Sequence, residues 1–179
     1  MHICTIGSEN LIKFLIKRSA DIHKVNKTGT IALIFACRFE REDIVKIFIE
    51  HGADINKENE EGLPPLAIAC EKGNENIVKY LVEHRADIHK ENKEGLTPLF
   101  YACSKGHQPI VKYLVERGAD IHKENHNRAT PLADTCSNGN LDVVKYLVEH
   151  GTDIHKVEQH GLTPIAFACS LEHENVIDY

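Results

Sequence analysis

The chain has 179 residues, of which 42% are hydrophobic and 27% are charged, a composition typical of a soluble globular protein with one substantial core. Its 21 basic and 27 acidic side chains give a formal net charge of −6, so it lacks the basic excess of nucleic-acid-binding proteins. Its longest apolar runs, such as residues 31–37, are too short to span a bilayer, and its N-terminus has no signal-peptide pattern.

A spacing of thirty-three residues runs through the whole chain. Every interval between neighbouring cysteines has this length: Cys4, Cys37, Cys70, Cys103, Cys136 and Cys169. Such a period is typical of a protein in which one small unit is copied along the chain. The sequence therefore predicts a single repeat domain with a partial first unit (1–25), four full units (26–58, 59–91, 92–124 and 125–157) and a partial last unit (158–179).

Each full unit predicts the same elements in chain order, and residues 92–124 show them best. A first short helix begins at Thr97 and Pro98, since proline is favoured in the first turn of a helix. Gly106 breaks it with a tight turn. A second helix, IVKYLVERG, has apolar residues at helical spacing and Gly118 as its C-terminal cap. The link ADIHKENKEG (86–95), which leads into the unit, is polar and rich in turn-forming residues.

These motifs resemble the ankyrin repeat along the whole chain. The residues that carry the resemblance are GLTPL (95–99), the Gly-His pair at 106–107, the apolar second helix and GADIN (52–56). The resemblance implies an all-α solenoid of stacked antiparallel helix pairs with β-hairpin fingers. It also implies a non-enzymatic protein that binds other proteins through its fingers and the adjoining concave helix face.

Three residues depart from the repeated pattern. Arg85 takes the place of a capping glycine, where a left-handed backbone costs a bulky residue about 1 kcal/mol. Arg128 takes the place of a turn glycine. Asp134 replaces an apolar residue of the first helix, and we interpret it as a locally loosened position that water reaches, rather than as a binding contact.

The two partial units place apolar residues where no outer neighbour covers them: Ile3, Leu11, Ile12, Val176 and Ile177. Solenoids normally end in polar-faced caps. We therefore expect a monomer whose last helix frays. The alternative expectation is that chains associate end to end. A third interpretation is that the chain is a fragment of a longer array, for example a regulatory or targeting segment of a larger protein or enzyme.

The reactive side chains do not indicate catalysis, a metal or a cofactor. Helices in a stack lie about 8–10 Å apart, whereas a disulfide needs Cα atoms within about 7 Å, so the cysteines are predicted to be buried and unpaired. Histidines share one finger position, at His23, His89, His122 and His155. Residues one repeat apart are too distant to ligate one zinc ion. A pH-sensitive binding surface remains a minor hypothesis.

We expect a protein partner, bound by positions that differ from unit to unit. A groove centred on 59–124 is predicted, with Leu63, Leu96 and Phe100 as apolar anchors. Charges from Lys72, Lys105 and Arg117 would favour an acidic or mixed-charge partner. The full candidate set is Phe39, Leu63, Leu96, Phe100, Lys72, Lys93, Lys105, Arg117 and Leu162. Alternatively, the leucines pack between neighbouring fingers. We expect an intracellular, cytoplasmic protein without membrane insertion.

Overall fold

The computed structural model describes residues 9–18, 20–26 and 31–179, so the expectations for Ile3 and Cys4 lie outside the described residues. Eleven helices occur in this part of the chain. They are α1 (Glu9–Lys17), α2 (Ala32–Arg38), α3 (Glu42–Glu50), α4 (Pro65–Lys72), α5 (Glu75–Glu83), α6 (Pro98–Ser104), α7 (Gln108–Glu116), α8 (Pro131–Ser137), α9 (Leu141–Glu149), α10 (Pro164–Ser170) and α11 (Glu174–Ile177).

The helices form two stacked layers. Within each unit a first helix is joined by a two- or three-residue turn to a second, as α6 is to α7. First helices pack on the first helices of neighbouring units, and second helices pack on second helices. This arrangement confirms the predicted all-α solenoid. The first helix within 92–124 begins at Pro98 as predicted, whereas the second begins at Gln108 instead of Ile110, because Pro109 is accepted in its first turn.

The core lies between the two layers and recurs at the 33-residue step. One position of the first helix holds leucines that are each no more than 1% exposed: Leu33, Leu66, Leu99 and Leu132. Ile44, Ile77, Ile110 and Val143 of the second helices are equally buried. Because a single helix pair is too small to enclose these side chains, the units depend on their neighbours for a continuous core.

The cysteines add small thiols to this core. All five described cysteines are free, and Cys37, Cys70, Cys103 and Cys136 are buried. Burial raises the pKa of Cys103 to about 12 and that of Cys136 to about 11, so these thiols have a packing role. Cys169 is exposed because the side of its helix that a following unit covers elsewhere is open.

Polar side chains from the last three units, His107, Asn140 and His173, also cap the first helix of the unit before. Asn140 Nδ2 donates to the carbonyl oxygens of Cys103 and Ser104 at 3.1 and 2.9 Å. Gly106 makes room for this contact, since a Cβ there would lie 2.6 Å from Asn140 Oδ1. His173 contacts the Ser137 carbonyl oxygen in the same way, with Nε2 at 2.9 Å.

The fingers are the segments that connect a second helix to the next first helix, and four of them are described in full: 51–64, 84–97, 117–130 and 150–163. No strand occurs in the described residues, so the fingers are tight turns without a strand ladder. Backbone hydrogen bonds close these turns, such as that from the Asn92 N–H to the Leu96 carbonyl oxygen at 3.0 Å, and side chains add to them. In the second finger, for example, Asp87 Oδ1 accepts from the His89 N–H at 2.8 Å, and Asn92 Oδ1 accepts from the N–H groups of Glu94 and Leu96.

Neighbouring fingers are joined to one another. The His126 N–H donates to the Glu94 carbonyl oxygen at 3.0 Å. Lysines also pair with a glutamate of the preceding finger: Lys90 with Glu58, Lys123 with Glu91, and Lys156 with Glu124, at 3.0, 2.8 and 2.6 Å. Such exposed pairs add little stability individually, and they align the fingers in one row.

Arg85 has the left-handed backbone predicted for it, with φ of 69°. The equivalent residues are Gly52, Gly118 and Gly151, and a Cβ added to any of them would meet nothing within 4 Å. The strain at Arg85 is therefore conformational and not steric. Arg128, in the turn-glycine position, has φ of 61°.

We expect Arg85→Gly to raise the free energy of unfolding by about 1 kcal/mol, because glycine adopts this conformation without the Cβ clash. Denaturant-induced unfolding followed by circular dichroism measures the change. The reverse substitution, Gly118→Arg, is the matched control and should lower stability by a similar amount. Equal stability of Arg85→Gly and the unmodified chain would contradict the assignment of strain.

We expect Cys169 to react rapidly with an aromatic disulfide reagent in the folded protein, while the buried cysteines react only on unfolding. The measurement compares the unmodified chain with Cys169→Ser. The variant should lose one equivalent of fast reaction, whereas the matched Cys136→Ser variant should lose none. The opposite pattern would show that the face beside Cys169 is covered.

Candidate partner-binding groove

A groove lies between the fingers and the ends of the first helices and crosses three units. Its volume is about 710 Å³. We call it the finger groove. Its lining residues are Arg38, Glu60, Glu61, Leu63, Glu71, Lys72, Asn92, Lys93, Glu94 and Tyr101.

The finger groove carries charges of both signs. Four glutamates lie among three cationic side chains, Arg38, Lys72 and Lys93. Tyr101 is half-buried, and its hydroxyl accepts a hydrogen bond from Asn92 Nδ2 at 2.9 Å. Burial, together with the nearby Glu94 carboxylate, raises the pKa of Tyr101 to about 12. The groove therefore combines charged groups of both signs with a hydrogen-bonded, neutral phenol.

Several of the predicted binding residues lie at this surface. Lys72 and Lys93 are exposed and line the groove. Lys105 is exposed at the position equivalent to Lys72 in the following unit. Leu96 is half-buried beside the groove, at the base of its finger, while Phe39 is 48% exposed and stacks on Phe35 with ring centroids 6.4 Å apart.

Two predicted anchors point away from solvent. Phe100 is 1% exposed and Leu63 is 8% exposed, so neither offers an apolar surface that a partner could cover. Leu63 touches the groove only as part of its floor. For this leucine the structure matches the alternative interpretation, in which it packs between neighbouring fingers.

Two further candidates lie elsewhere. Arg117 is exposed at the end of α7, and its guanidinium covers the ring of Tyr113 at 4.7 Å from the centroid. It therefore belongs to the surface of the second helices. Leu162 is 38% exposed in the last finger and does not line the finger groove.

Asp134 occupies the position that holds Tyr101 in the preceding unit, and it is half-buried. Burial raises the pKa of its carboxyl group, while a hydrogen bond from Ser104 and the charge of Lys105 lower the pKa in part. A carboxylate here is thus held in an unfavourable environment, and the locally loosened position that water reaches stays a prediction.

A second repeated surface, which was not predicted from the sequence, lies on the second helices. Lysine ammonium groups lie 5.5–5.8 Å from the ring centroids of tyrosines one unit later: Lys46 over Tyr80, Lys79 over Tyr113, Lys112 over Tyr146, and Lys145 over Tyr179. We call this row the lysine–tyrosine row. The 33-residue spacing of both residue types could have revealed it. Stacking at that spacing brings each lysine over the tyrosine ring of the next unit, within the distance of about 6 Å that a cation–π contact needs.

Several of the described histidines contact the backbone at the ends of second helices. No group of three or more His, Cys, Asp or Glu side chains in the described residues could hold a metal ion. Instead, His84 and His150 donate from Nδ1 to a carbonyl oxygen one turn earlier in their helices, at 2.8 and 2.7 Å. These contacts close helix ends.

The comparisons with known proteins agree with the stacked helix pairs and their row of fingers. The family model for ankyrin repeats matches three times, at residues 1–59, 54–125 and 117–179. The chain is an ankyrin repeat protein. Ankyrin repeats are generally protein–protein interaction modules, and the family is typically non-enzymatic. No curated protein matches this ankyrin repeat chain, and none of its described helices is long and apolar enough to cross a membrane.

We expect Asp134→Asn to be more stable than the unmodified protein at neutral pH. A carboxyl group whose pKa is raised by folding binds protons more tightly in the folded state, so stability is lost as pH rises from the unfolded pKa through the folded pKa. Chemical unfolding at several pH values measures this. The advantage of Asp134→Asn should shrink below about pH 4, where a free Asp is protonated; an advantage that persists there would contradict the argument.

Proposed function

We propose that this ankyrin repeat protein is a non-enzymatic scaffold or adaptor that binds a partner protein in the finger groove. The observation that carries the proposal is the groove itself, which is continuous over three units and lined by charged and polar groups from both fingers and first helices. The free thiols of the core favour a location inside the cell, where cysteines stay reduced.

The contrast between constant and variable positions supports the choice of this surface. Core positions hold the same chemistry in every unit, as the buried leucines and cysteines do. Groove positions change from unit to unit. The residues at one such position are Arg38, Glu71, Ser104, Ser137 and Ser170, and those at the next are Phe39, Lys72, Lys105, Asn138 and Leu171. Stacking depends on the constant core positions, whereas the variable groove positions remain free for recognition.

The charges of the groove favour a partner of mixed charge. Lys72 is the last residue of α4 and Lys105 directly follows α6, so an acidic side chain of the partner can reach either. The glutamates of the two fingers, Glu60 and Glu94 among them, would meet basic side chains. Phe39 supplies an exposed aromatic ring next to Arg38, and aromatic residues with arginine are the usual centres of binding energy.

We expect the double variant Lys72→Glu, Lys105→Glu to bind its partner at least about tenfold more weakly, because each new carboxylate would oppose an acidic group of the partner. Partners are captured from lysate of the source cell with the unmodified protein, identified, purified and titrated by calorimetry. Circular dichroism checks that the variant is folded.

The matched control is Lys112→Glu, Lys145→Glu, which makes the same change in charge on the lysine–tyrosine row. It should bind with unchanged affinity. Equal binding by both double variants would rule out the charge contribution of the groove. Weaker binding by the control alone would place the interface on the second helices.

A further inference from the structure

The five tyrosines of the chain differ in what lies over their rings. Four of them belong to the lysine–tyrosine row, where a lysine ammonium lies 5.5–5.8 Å from the centroid of each ring. Tyr101 is the fifth, and it lies in the other layer, on α6. No cationic side chain of the described residues lies over its ring. This ring is therefore able to take a cation from outside the chain.

Three glutamates lie close to this ring in the finger groove. Tyr101 is half-buried and lines the groove together with Glu61, Glu71 and Glu94. These glutamates come from two fingers and from the end of α4, so stacking brings them to one side chain. Their charges reach the phenol, since burial first and then Glu94, Glu71 and Glu61 raise the pKa of Tyr101. A cation on the ring would thus lie in a region of negative charge.

The three carboxylates are not neutralised by the chain itself. At the finger bases, by contrast, each glutamate pairs with a lysine of the following finger: Glu58, Glu91 and Glu124. In the part of the chain that the structure describes, no ion pair includes any of the three groove glutamates. The cationic side chains of the groove form no such pair there either: Arg38, Lys72 and Lys93. The groove therefore offers carboxylates that a cation of the partner can meet.

We propose that the finger groove binds an arginine side chain of the partner, with its guanidinium on the Tyr101 ring and its N–H groups donating to the three glutamates. A ring attracts a cation to its face, and a planar guanidinium stacks well there. Its five donors can serve several carboxylates at once, whereas the compact ammonium of lysine does not stack. The proposal rests on the proposed function, of which it names one contact.

This combination of ring and carboxylates occurs at one place along the sequence. Two other units have an aromatic residue at the position of Tyr101, namely Phe35 and Phe167. Their fingers carry Thr28 and His160 at the position of Glu94. A single arginine would therefore fix the register of the partner along the groove.

Titration of the 179-residue chain with N-acetyl-arginine N-methylamide, followed by NMR, tests this site. We expect saturable chemical-shift changes at the Tyr101 ring and at the amides of the three glutamates. Tyr101→Ile, which introduces the residue type of the equivalent Ile68, should raise the dissociation constant about threefold, because the cation–π contact is lost. Glu61→Gln combined with Glu94→Gln leaves the ring in place and should raise it about fivefold.

Two matched controls separate this contact from general attraction to an acidic protein. The citrulline analogue of the probe has nearly the same shape without the charge, and it should give no saturable change. Tyr146→Ile makes the same substitution on the lysine–tyrosine row and should bind arginine like the unmodified chain.

Three outcomes would overturn the proposal: no saturable change at Tyr101, equal changes with the citrulline analogue, or unchanged binding by both the Tyr101→Ile and the double glutamate variants. Because the probe is the arginine amide alone, such a failure leaves the titration of the captured partner as an independent test of the groove.

Discussion

The burial of each helix pair by the next one is the interaction on which the rest of the structure depends. Leu66 and Leu99 are removed from water only because helices of the following unit pack over them. The helix stack also positions the fingers, which contain no strands. They are then joined by backbone hydrogen bonds and by pairs such as Lys90 with Glu58. The finger groove is therefore a property of several units together.

The two sides of the stack differ in how strongly this constraint acts. On the second helices, the lysine–tyrosine row repeats one contact in successive units, so the same residue types return at each step. On the finger side, contacts between units are made by backbone atoms and by the Glu–Lys pairs near the finger bases. At the tips only backbone atoms make these contacts, so the side chains are free to differ, from Glu60 to Lys93 to His126.

The repeat made the helices predictable, because period, proline and glycine positions are local properties of the sequence. The direction in which an individual side chain points could not be predicted from these local properties. Phe100 and Phe39 both lie on or next to a first helix, yet one is 1% and the other 48% exposed, which depends on packing between units. Charge pairing depends on the same packing, since stacking brings Lys123 to Glu91, thirty-two residues away. The groove combines three units, so no single unit could reveal it.

The capping of one unit by the next also limits how such a chain can be rearranged. Gly106 and Asn140, or Gly139 and His173, work as pairs that straddle a boundary between units. Where Glu40 takes the place of the glycine, with φ of 54°, the following Asn74 instead accepts from the N–H of Ile77 in its own helix. The units of this protein are thus not interchangeable modules. A duplication or recombination event that separates Gly106 from Asn140 would remove a capping contact that neither unit can make alone.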